Sequence, residues 1–324
     1  MNRSSVPPPV TMVLDASETW LPARLAEVER RLAERVSEHG PVLTDDGRTT
    51  LEAGGKRLRP MLVLLCGGPA AGEAAIRAAC AIELVHMATL VHDDVLDAAP
   101  LRRGRPTVFA TSGAERATAV GDLLFSRAFA ELAAEGSERQ VDLLAAATVA
   151  LARSELAQRQ DAFDLDLEPG RYLERCELKT ARLFECACVI GRSDGTADGE
   201  LREFGRQIGL GFQLLDDVLD VTGPPERTGK TRGTDLLDGT VTLPLILARR
   251  RDPSLGDLDL RRLDAAGASA ACDRIAATGV LDEVRGDARA RVAAAKEAVA
   301  DAGLPAEQRR LLELVADGVV ERYA

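Results

Sequence analysis

Aromatic residues make up only 3% of this 324-residue chain. Alanine, leucine, arginine and glutamate dominate instead, and these residues favour helices, whereas sheets need β-branched and aromatic runs that are scarce here. The composition therefore predicts an all-α protein, and the length is sufficient for a substantial hydrophobic core.

Cysteine pairs with CxxC spacing are absent. The cysteines lie in apolar, helical segments, so we expect buried free thiols rather than disulfides or a zinc site. This use of cysteine indicates a reducing, cytoplasmic location. The six residues are Cys66, Cys80, Cys176, Cys186, Cys188 and Cys272.

A secretion signal is not recognisable in the opening MNRSSVPPPVTM, which lacks a basic start, an apolar core and a cleavage site. We expect residues 1–16 to form a disordered tail and residues 17–324 to form a single domain. Charged residues such as Arg77 and Glu83 interrupt the most apolar stretches, which fall short of the roughly 20 apolar residues that span a bilayer. We therefore expect a soluble protein.

The net charge of -11 opposes a general role in binding nucleic acid or an anionic membrane surface, since both need a basic face.

Apolar residues recur at three- and four-residue spacing, which predicts a helical bundle. The predicted helical segments are 18–39, 42–52, 56–66, 72–97, 114–135, 137–163, 170–192, 198–222, 241–251, 263–276, 279–302 and 305–323. Stretches 72–97 and 207–222 are apolar on nearly every side, which is typical of helices at the centre of a bundle. Two longer loops are expected at 98–113 and 223–240.

The motif D-D-V-L-D occurs twice, each time at the end of one of these central stretches. Residues four apart lie on one face of a helix, so the outer aspartates of each copy form a two-carboxylate claw, and the middle one widens it. Carboxylates this close repel one another unless a cation lies between them. Mg²⁺ fits best, because it takes one or two protein carboxylates and completes its shell with phosphate oxygens. The aspartates are Asp93, Asp94 and Asp97 in the first cluster, and Asp216, Asp217 and Asp220 in the second.

A single copy of this motif would more simply be an exposed acidic helix end. Two identical copies on central helices favour a function, namely holding a diphosphate between them through shared metal ions. Basic residues support this interpretation: Arg102, Arg103 and Arg105 follow the first cluster in one short loop. Arginine donates two hydrogen bonds to a phosphate at once.

The stretch GGKRLRP offers Lys56, Arg57 and Arg59 after two glycines, including Gly55, which let a backbone approach an anion closely. By itself, each basic stretch would be a solvated surface patch.

The stretch TGKT at 228–231 is similar to a nucleotide-binding P-loop, but Pro224 replaces the glycine that this motif needs and no strand precedes it. Nucleotide binding through a P-loop is therefore rejected.

Several motifs in succession resemble the trans-isoprenyl diphosphate synthases, or polyprenyl synthetase family. They are GGKRLRP, LVHDDVLD, LRRGRPT, the Gly-Asp pair at 121–122, KTARLF, FQLLDDVLD and GTDLLDG. The resemblance runs from GGKRLRP to TLP at 242–244. It implies an all-helical bundle of the isoprenoid synthase type, with a central active-site cavity, that acts as a cytoplasmic homodimer. The implied reaction is Mg²⁺-dependent, head-to-tail, trans condensation of an allylic diphosphate with isopentenyl diphosphate.

The resemblance also assigns site residues. It implies three Mg²⁺ ions bound together with the allylic diphosphate by Asp93, Asp97 and Asp216, with help from Asp94, Asp217 and Asp220. It implies contacts to the oxygens of that diphosphate from Arg102, Lys179 and Lys230. It implies an isopentenyl diphosphate site formed by Gly55, Lys56, Arg59, His86 and Arg103. Finally, Thr180 and Gln213 would line the path of the developing allylic cation.

The implied chemistry suits these residue types. Mg²⁺, arginine and lysine draw charge onto the leaving diphosphate, the allylic C–O bond breaks, and the isopentenyl double bond attacks the cation. Released diphosphate can accept the proton, so no separate side-chain base is needed. Alone, His86 would be a hydrogen-bonded core histidine, Lys179 and Thr180 an ordinary helix pair, and Gln213 a satisfied buried amide.

One position departs from the family pattern: Thr240 stands where the family usually has a second lysine. The missing cation could weaken substrate affinity, be offset by Arg232 or another cation, or signal an altered substrate.

Product length depends in this family on the residues four and five before the first cluster, here Thr89 and Ala88. Neither is bulky, so we expect a product of geranylgeranyl length or longer. The floor of the tunnel could instead lie deeper, at Leu84, Val85 or Leu123, or at a dimer partner.

Two other functions stay open from the sequence. A class I terpene cyclase would use a similar first cluster but usually has an Asn/Ser/Glu metal triad in place of the second. A non-catalytic subunit of a heteromeric prenyl synthase should lose aspartates, whereas both clusters here are complete.

Overall fold

The computed structural model describes residues 8–38, 41–52, 57–102, 104–134, 137–192, 194–223 and 232–321. Regular structure in these ranges is almost entirely helical. Its strands are the two-residue β1 (Leu101–Arg102) and β2 (Arg105–Pro106), which pair antiparallel with Arg102 opposite Arg105. The all-α class that the composition predicted is confirmed.

The helices follow the chain in nearly the predicted order and register. The first half contains α1 (Pro8–Ala16), α2 (Leu21–Ser37), α3 (Pro41–Glu52), α4 (Leu58–Gly67), α5 (Glu73–Leu96), α6 (Val108–Ser112), α7 (Ala114–Ala133) and α8 (Glu138–Gln160). The second half contains α9 (Pro169–Cys176), α10 (Arg182–Ile190), α11 (Asp198–Thr222), α12 (Thr234–Leu237), α13 (Leu243–Arg251), α14 (Ala265–Ala277), α15 (Val280–Asp301) and α16 (Ala306–Glu321). A π-helical turn (Glu177–Ala181) joins α9 to α10, and short 3-10 turns lie at Pro253–Asp257 and Leu260–Arg262.

The two stretches that were expected at the centre of the bundle form α5 and α11. Helix α5 packs against α2, α4 and α7, and its small residues Ala78, Ala79 and Ala81 are completely buried. Helix α11 packs against α10 and α15. Small side chains let neighbouring helices approach α5 closely on several sides, which explains why this helix shows little of the one-sided polarity of a surface helix.

Two glycines bring α11 against the chain segment around the π turn. A Cβ atom at Gly205 would lie 2.7 Å from the carbonyl oxygen of Phe184, and one at Gly209 would lie 2.6 Å from the Cα atom of Ala181. Backbone contact this close requires a residue without a side chain. The glycines therefore place α11 directly beside Lys179 and Thr180, which the π turn carries.

The disordered tail predicted for residues 1–16 is wrong for its second half. Residues Pro8–Ala16 form α1, which packs against α16, and Val13 is almost completely buried. The prolines do not prevent this, because proline is tolerated in the first turn of a helix, where its missing N–H has no intrahelical partner anyway. Residues 1–7 lie outside the described part of the chain.

Among the described helices, α5 is long and apolar enough to cross a bilayer, but 72% of its most apolar window is buried inside the protein. Its apolar surface is therefore covered by neighbouring helices, as in the central helix of a bundle.

All six cysteines are buried and unpaired, as predicted. Burial raises the pKa of Cys186 to about 12, which keeps that thiol protonated and unreactive.

Candidate active site

The first aspartate cluster lies at the C-terminal end of α5. Asp93 and Asp94 are in its last turn, and the backbone N–H of Asp97 caps it by donating to the carbonyl oxygen of Asp93 over 2.9 Å. The three side chains differ in exposure: Asp94 is buried, Asp93 is partly buried and Asp97 is exposed. Since Asp93 and Asp97 lie one turn apart, their carboxylates share a face, as predicted.

Asp94 holds the first of the loop arginines. Nε and Nη2 of Arg102 both contact Oδ1 of Asp94, at 2.8 and 2.7 Å. The small β1–β2 hairpin turns the chain back so that Arg102 reaches the helix it has just left. Asp94 was predicted as a metal ligand; in this structure its contact is with Arg102, which it fixes beside Asp93 and Asp97.

The second cluster, at the end of α11, has a similar division. Asp216 is exposed and Asp220 partly buried, whereas Asp217 is only 2% exposed. Both oxygens of Asp217 accept hydrogen bonds: Oδ2 from the hydroxyl of Tyr172, and Oδ1 from Nε2 of Gln213 at 2.8 Å. The middle aspartate of each cluster is therefore the buried one that side chains hold. The outer ones are more accessible, although Asp220 also accepts a hydrogen bond from the backbone N–H of Asp235 over 3.3 Å.

The hydrogen bonds of Asp217 continue to the π turn. The hydroxyl of Thr180 donates to Oε1 of Gln213 over 2.7 Å. Because Asp217 accepts from the amide nitrogen of Gln213, the amide oxygen must face Thr180. Tyr172, Asp217, Gln213 and Thr180 thus form one chain of hydrogen bonds, which we call the Asp217 chain.

Burial is the main cause of the pKa shifts in both clusters. It raises the pKa of Asp93 to about 6, opposed by Lys179 and Arg102 and reinforced by Glu155 and Asp97. Burial also raises the pKa of Asp217, reinforced by the charge of Asp235 and opposed by the hydrogen bonds from Tyr172 and Gln213. Carboxyl groups whose charged form is disfavoured in this way attract cations strongly.

The π turn joins the two clusters. The charges of Asp93 and Asp97, in the first cluster, raise the pKa of Lys179 against the lowering effect of burial. The next residue, Thr180, is linked through Gln213 to Asp217 in the second cluster. Of two consecutive side chains of this turn, one therefore interacts electrostatically with the first cluster and the other is linked by hydrogen bonds to the second. π-helical turns are rare and occur mostly at functional sites.

The donor set fits Mg²⁺. No three potential metal-binding side chains converge within the described ranges, so the protein alone offers no closed metal cage there. Each cluster instead presents one or two accessible carboxylates, the number that Mg²⁺ uses when water and substrate oxygens complete its shell. Asp93, Asp97 and Asp216 are the residues best placed to bind it.

Comparison with known proteins decides the family. The sequence profile described as Polyprenyl synthetase matches residues 41–265, which include both clusters and the π turn. The chain belongs to the polyprenyl synthetase family. Enzymes of this family are metal-dependent, and the chain is a prenyltransferase of isoprenoid biosynthesis with the all-α isoprenoid synthase fold.

Individual members of the family show the extent of the similarity. The heptaprenyl diphosphate synthase component 2 of Geobacillus stearothermophilus is 42% identical over 244 residues, which are 73% of this chain and 76% of the relative. The geranylgeranyl diphosphate synthase of Methanosarcina mazei is 35% identical over 287 residues, or 85% and 88% of the two chains. The crystal structure of a polyprenyl synthase from Caulobacter crescentus, complexed with calcium and isoprenyl diphosphate, has a TM-score of 0.90 at 33% identity and covers 97% of this chain and 98% of its own.

The basic residues of GGKRLRP have different environments. Arg57 is buried and pairs with Glu29 of α2 and Glu83 of α5, so it joins helices rather than facing a ligand. The guanidinium carbon of Arg59 lies 4.5 Å from the centre of the Phe184 ring, and this stacking orients it. Gly55, Lys56, Arg103 and Lys230, which were predicted to bind substrate, lie outside the described residues.

The residues expected to control product length lie on α5. Ala88 is completely buried and Thr89 is partly exposed, with its hydroxyl donating to the carbonyl oxygen of His86 over 2.8 Å. His86 itself is partly buried. Of the deeper candidates, Leu84 and Val85 are completely buried and Leu123 is partly exposed.

The cation proposed to replace the missing family lysine at Thr240 is engaged elsewhere. Arg232 donates from Nε to the carbonyl oxygen of Val221 and from Nη1 to Asp273, the latter over 2.7 Å. Two acceptors within the protein hold this guanidinium, so the structure gives no support to compensation by Arg232.

Sequence reasoning missed three side chains at the site: Tyr172, Glu155 and Gln158. Tyr172 binds Asp217, whereas Glu155 and Gln158 bind Lys179. Each acts across a helix–helix contact, and no local pattern predicts which residues of another helix will meet a given aspartate or lysine.

Proposed function

We propose that this chain is a Mg²⁺-dependent trans-prenyltransferase that condenses an allylic diphosphate with isopentenyl diphosphate, head to tail, to a polyprenyl diphosphate of geranylgeranyl length or longer. One observation carries the proposal: the π turn presents Lys179 to one aspartate cluster and Thr180 to the hydrogen bonds of the other. The same turn thus carries Lys179, a cation that can bind phosphate, and the neutral hydroxyl of Thr180. We place between them the C–O bond that joins the diphosphate to its carbon chain.

Binding of the allylic substrate follows from the charges. Asp93 and Asp97 from α5, with Asp216 from α11, would hold Mg²⁺, which supplies positive charge to the diphosphate as the C–O bond breaks. Arg102, fixed by Asp94, and Lys179 donate to the diphosphate oxygens. Lys230 is assigned to the same group from the sequence.

The carbon end of the substrate then lies by Thr180 and Gln213. The hydroxyl hydrogen of Thr180 is engaged with Gln213, so the lone pairs of the Thr180 oxygen face the other way. Oxygen lone pairs held beside a developing allylic cation stabilise it without attacking it, provided that water is excluded. The buried carboxylate of Asp217 strengthens the dipole through Gln213.

The second substrate would bind on the α4 side. Arg59, stacked on Phe184, and His86 are assigned to the diphosphate of isopentenyl diphosphate, together with Gly55, Lys56 and Arg103. Attack of its double bond on the allylic cation forms the new C–C bond. The proton lost from the adjacent carbon passes to an oxygen of the released diphosphate, so no side-chain base is required.

The decisive experiment mixes purified full-length chain, Mg²⁺, labelled isopentenyl diphosphate and geranyl, farnesyl or geranylgeranyl diphosphate in turn. Chromatography of the hydrolysed lipid then gives both primer and product length. Lipid longer than the primer, lost on adding a chelator and restored by Mg²⁺, supports the proposal. A cyclic hydrocarbon formed without isopentenyl diphosphate would favour a terpene cyclase instead.

A second candidate is a subunit that works only with a partner. The relative from Geobacillus stearothermophilus is named component 2 of its enzyme, which indicates that the enzyme has another component. We nevertheless favour an enzyme active alone, as a cytoplasmic homodimer whose single domain includes α1, because both clusters are complete. Sedimentation velocity of the pure chain tests the dimer. Lipid made only after a second protein is added would favour the subunit.

A further inference from the structure

Two side chains of α8 hold the ammonium group of Lys179. Nζ lies 2.8 Å from Oε1 of Glu155 and 3.0 Å from Oε1 of Gln158. Glu155 and Gln158 are three residues apart and therefore lie on one face of α8, which packs against the π turn. We call this pair of acceptors the α8 clasp.

The clasp leaves one N–H of Lys179 for another partner. A lysine ammonium has three donors in tetrahedral arrangement, and two fixed acceptors determine where the third points. Asp93 and Asp97 act electrostatically on Lys179, yet within the described residues no hydrogen bond or ion pair joins either of them to it. Lys179 thus interacts electrostatically with the first cluster, while its hydrogen bonds in the described residues go to α8.

We propose that Glu155 and Gln158 are positioning residues, which keep Lys179 directed at the diphosphate and prevent it from pairing with Asp93. The proposal rests on the proposed function, since it takes the ligand between Lys179 and Asp93 to be the allylic diphosphate with its Mg²⁺. It adds to that function two residues on a helix that carries neither aspartate cluster.

Two physical effects make the clasp useful. Lysine has a long, flexible stem, and restraining it before the ligand arrives removes part of the entropic cost of binding. In addition, Lys179 without the clasp would be drawn towards Asp93, the carboxylate whose charge raises the pKa of Lys179 most, and would compete there with Mg²⁺. Loss of the clasp should therefore weaken diphosphate binding and raise the Mg²⁺ requirement together.

A simpler alternative is that Glu155 and Lys179 form an ion pair that only fastens α8 to the π turn. In that case its loss would lower the melting temperature and leave the substrate and metal constants unchanged. The two explanations differ in what Glu155→Gln does, because glutamine keeps an acceptor oxygen for Lys179 but removes the charge.

The test compares Glu155→Leu, Glu155→Gln, Gln158→Leu and Lys179→Ala, with Asp142→Leu as the control carboxylate, exposed on the same helix. For Glu155→Leu we expect KM for the allylic diphosphate and the half-saturating Mg²⁺ concentration each to rise roughly tenfold, as when an outer partner of a metal site is lost. Gln158→Leu should act in the same direction but less. In Glu155→Gln both constants should stay within about threefold of those of the original protein. In the control Asp142→Leu both should equal those of the original protein.

A double variant decides whether Glu155 acts through Lys179. In the Lys179→Ala background, Glu155→Leu should add no further loss. The proposal is overturned if Glu155→Leu keeps both constants, if its effect is undiminished in the Lys179→Ala background, or if Glu155→Gln is as impaired as Glu155→Leu.

Calorimetry with inorganic diphosphate and Mg²⁺ gives a readout that needs no turnover. The affinity of this probe should fall roughly tenfold in Glu155→Leu and be restored in Glu155→Gln. A chain that binds the probe in this pattern but makes no lipid would contradict the proposed reaction and still support the clasp. Lipid synthesis by the original protein, together with unchanged probe binding in Glu155→Leu, would support the proposed reaction and contradict the clasp.

Discussion

The hydroxyl of Tyr172 donates a hydrogen bond to Asp217 across 45 residues of sequence. Tyr172 and Asp217 are both almost completely buried, and the other oxygen of Asp217 binds Gln213. The middle residue of the second D-D-V-L-D copy is thus an internal anchor. It fixes the Gln213 amide, and through it the hydroxyl of Thr180, in one orientation.

Tyr172→Phe should therefore impair both stability and turnover. Removing the hydroxyl leaves one buried oxygen of Asp217 without its partner, which should lower the free energy of unfolding by about 1–3 kcal/mol. Because the Asp217 chain would orient Thr180 less firmly, kcat should fall while KM for the allylic substrate stays constant. Urea denaturation and steady-state kinetics measure the two effects.

Thr222→Val is the control: Thr222 is an exposed residue of α11, the helix that carries Asp217, and within the described residues its hydroxyl donates to the carbonyl oxygen of Val218. Its free energy of unfolding should change by less than about 0.5 kcal/mol. An unchanged kcat in Tyr172→Phe would show that the Asp217 chain is structural alone.

The outer and middle aspartates of the second cluster should respond differently to replacement. Asp216→Asn removes an accessible carboxylate that we assign to Mg²⁺, so kcat/KM should fall by roughly 1,000-fold, the equivalent of several kcal/mol of transition-state stabilisation. Asp217→Asn should lower kcat while leaving the half-saturating Mg²⁺ concentration unchanged, because Asp217 is turned inward. Magnesium titrations of both variants test this. A raised Mg²⁺ requirement in Asp217→Asn would show that Asp217 is a metal ligand, as the sequence predicted.

The sequence predicted the helices and the aspartate clusters well, because both depend on local spacing. Periodic apolar residues placed α5 and α11 at the centre, and an interval of four set Asp93 with Asp97 on one face. Proline-rich composition misled the prediction for Pro8–Ala16, where packing against α16 outweighs local propensity. Contacts such as Tyr172 with Asp217, or Glu155 with Lys179, depend on which helices pack together, so spacing could not give them.

Product length should respond more clearly to Thr89 than to Ala88. Ala88 is completely buried, so Ala88→Phe should overpack the core and cost about 1–3 kcal/mol of stability. Thr89 is partly exposed, and Thr89→Phe should add bulk with less strain and shorten the main product. Chromatography of hydrolysed products checks this, with Thr89→Val as the control of similar volume. An unaltered product distribution in a folded Thr89→Phe protein would show that another residue, for example Leu123, forms the floor of the tunnel.

The pKa of Asp93 gives a signed prediction for stability. Burial raises this pKa from 3.8 to about 6, so between these values the folded protein retains a proton that the unfolded chain has lost. Folded protein then binds more protons than unfolded, and the contribution of Asp93 to stability, fully present below about pH 4, is lost as pH rises to about 6. Asp93→Asn has no such titration. Its free energy of unfolding relative to the original protein should therefore increase between about pH 4 and 6 and level off above, when measured by denaturant without metal.

Adding Mg²⁺ and inorganic diphosphate at pH 7.5 should reverse that order. The charged Asp93 carboxylate is then a metal ligand rather than a partly buried anion, so binding should stabilise the original protein more than Asp93→Asn. Asp142→Asn, which removes an exposed carboxylate, should follow the original protein at every pH and in both conditions. If Asp93→Asn and the original protein gave parallel stability curves from pH 4 to 7, burial would not be the force that holds a proton on Asp93. If the ligand stabilised both proteins equally, Asp93 would lie outside the metal site.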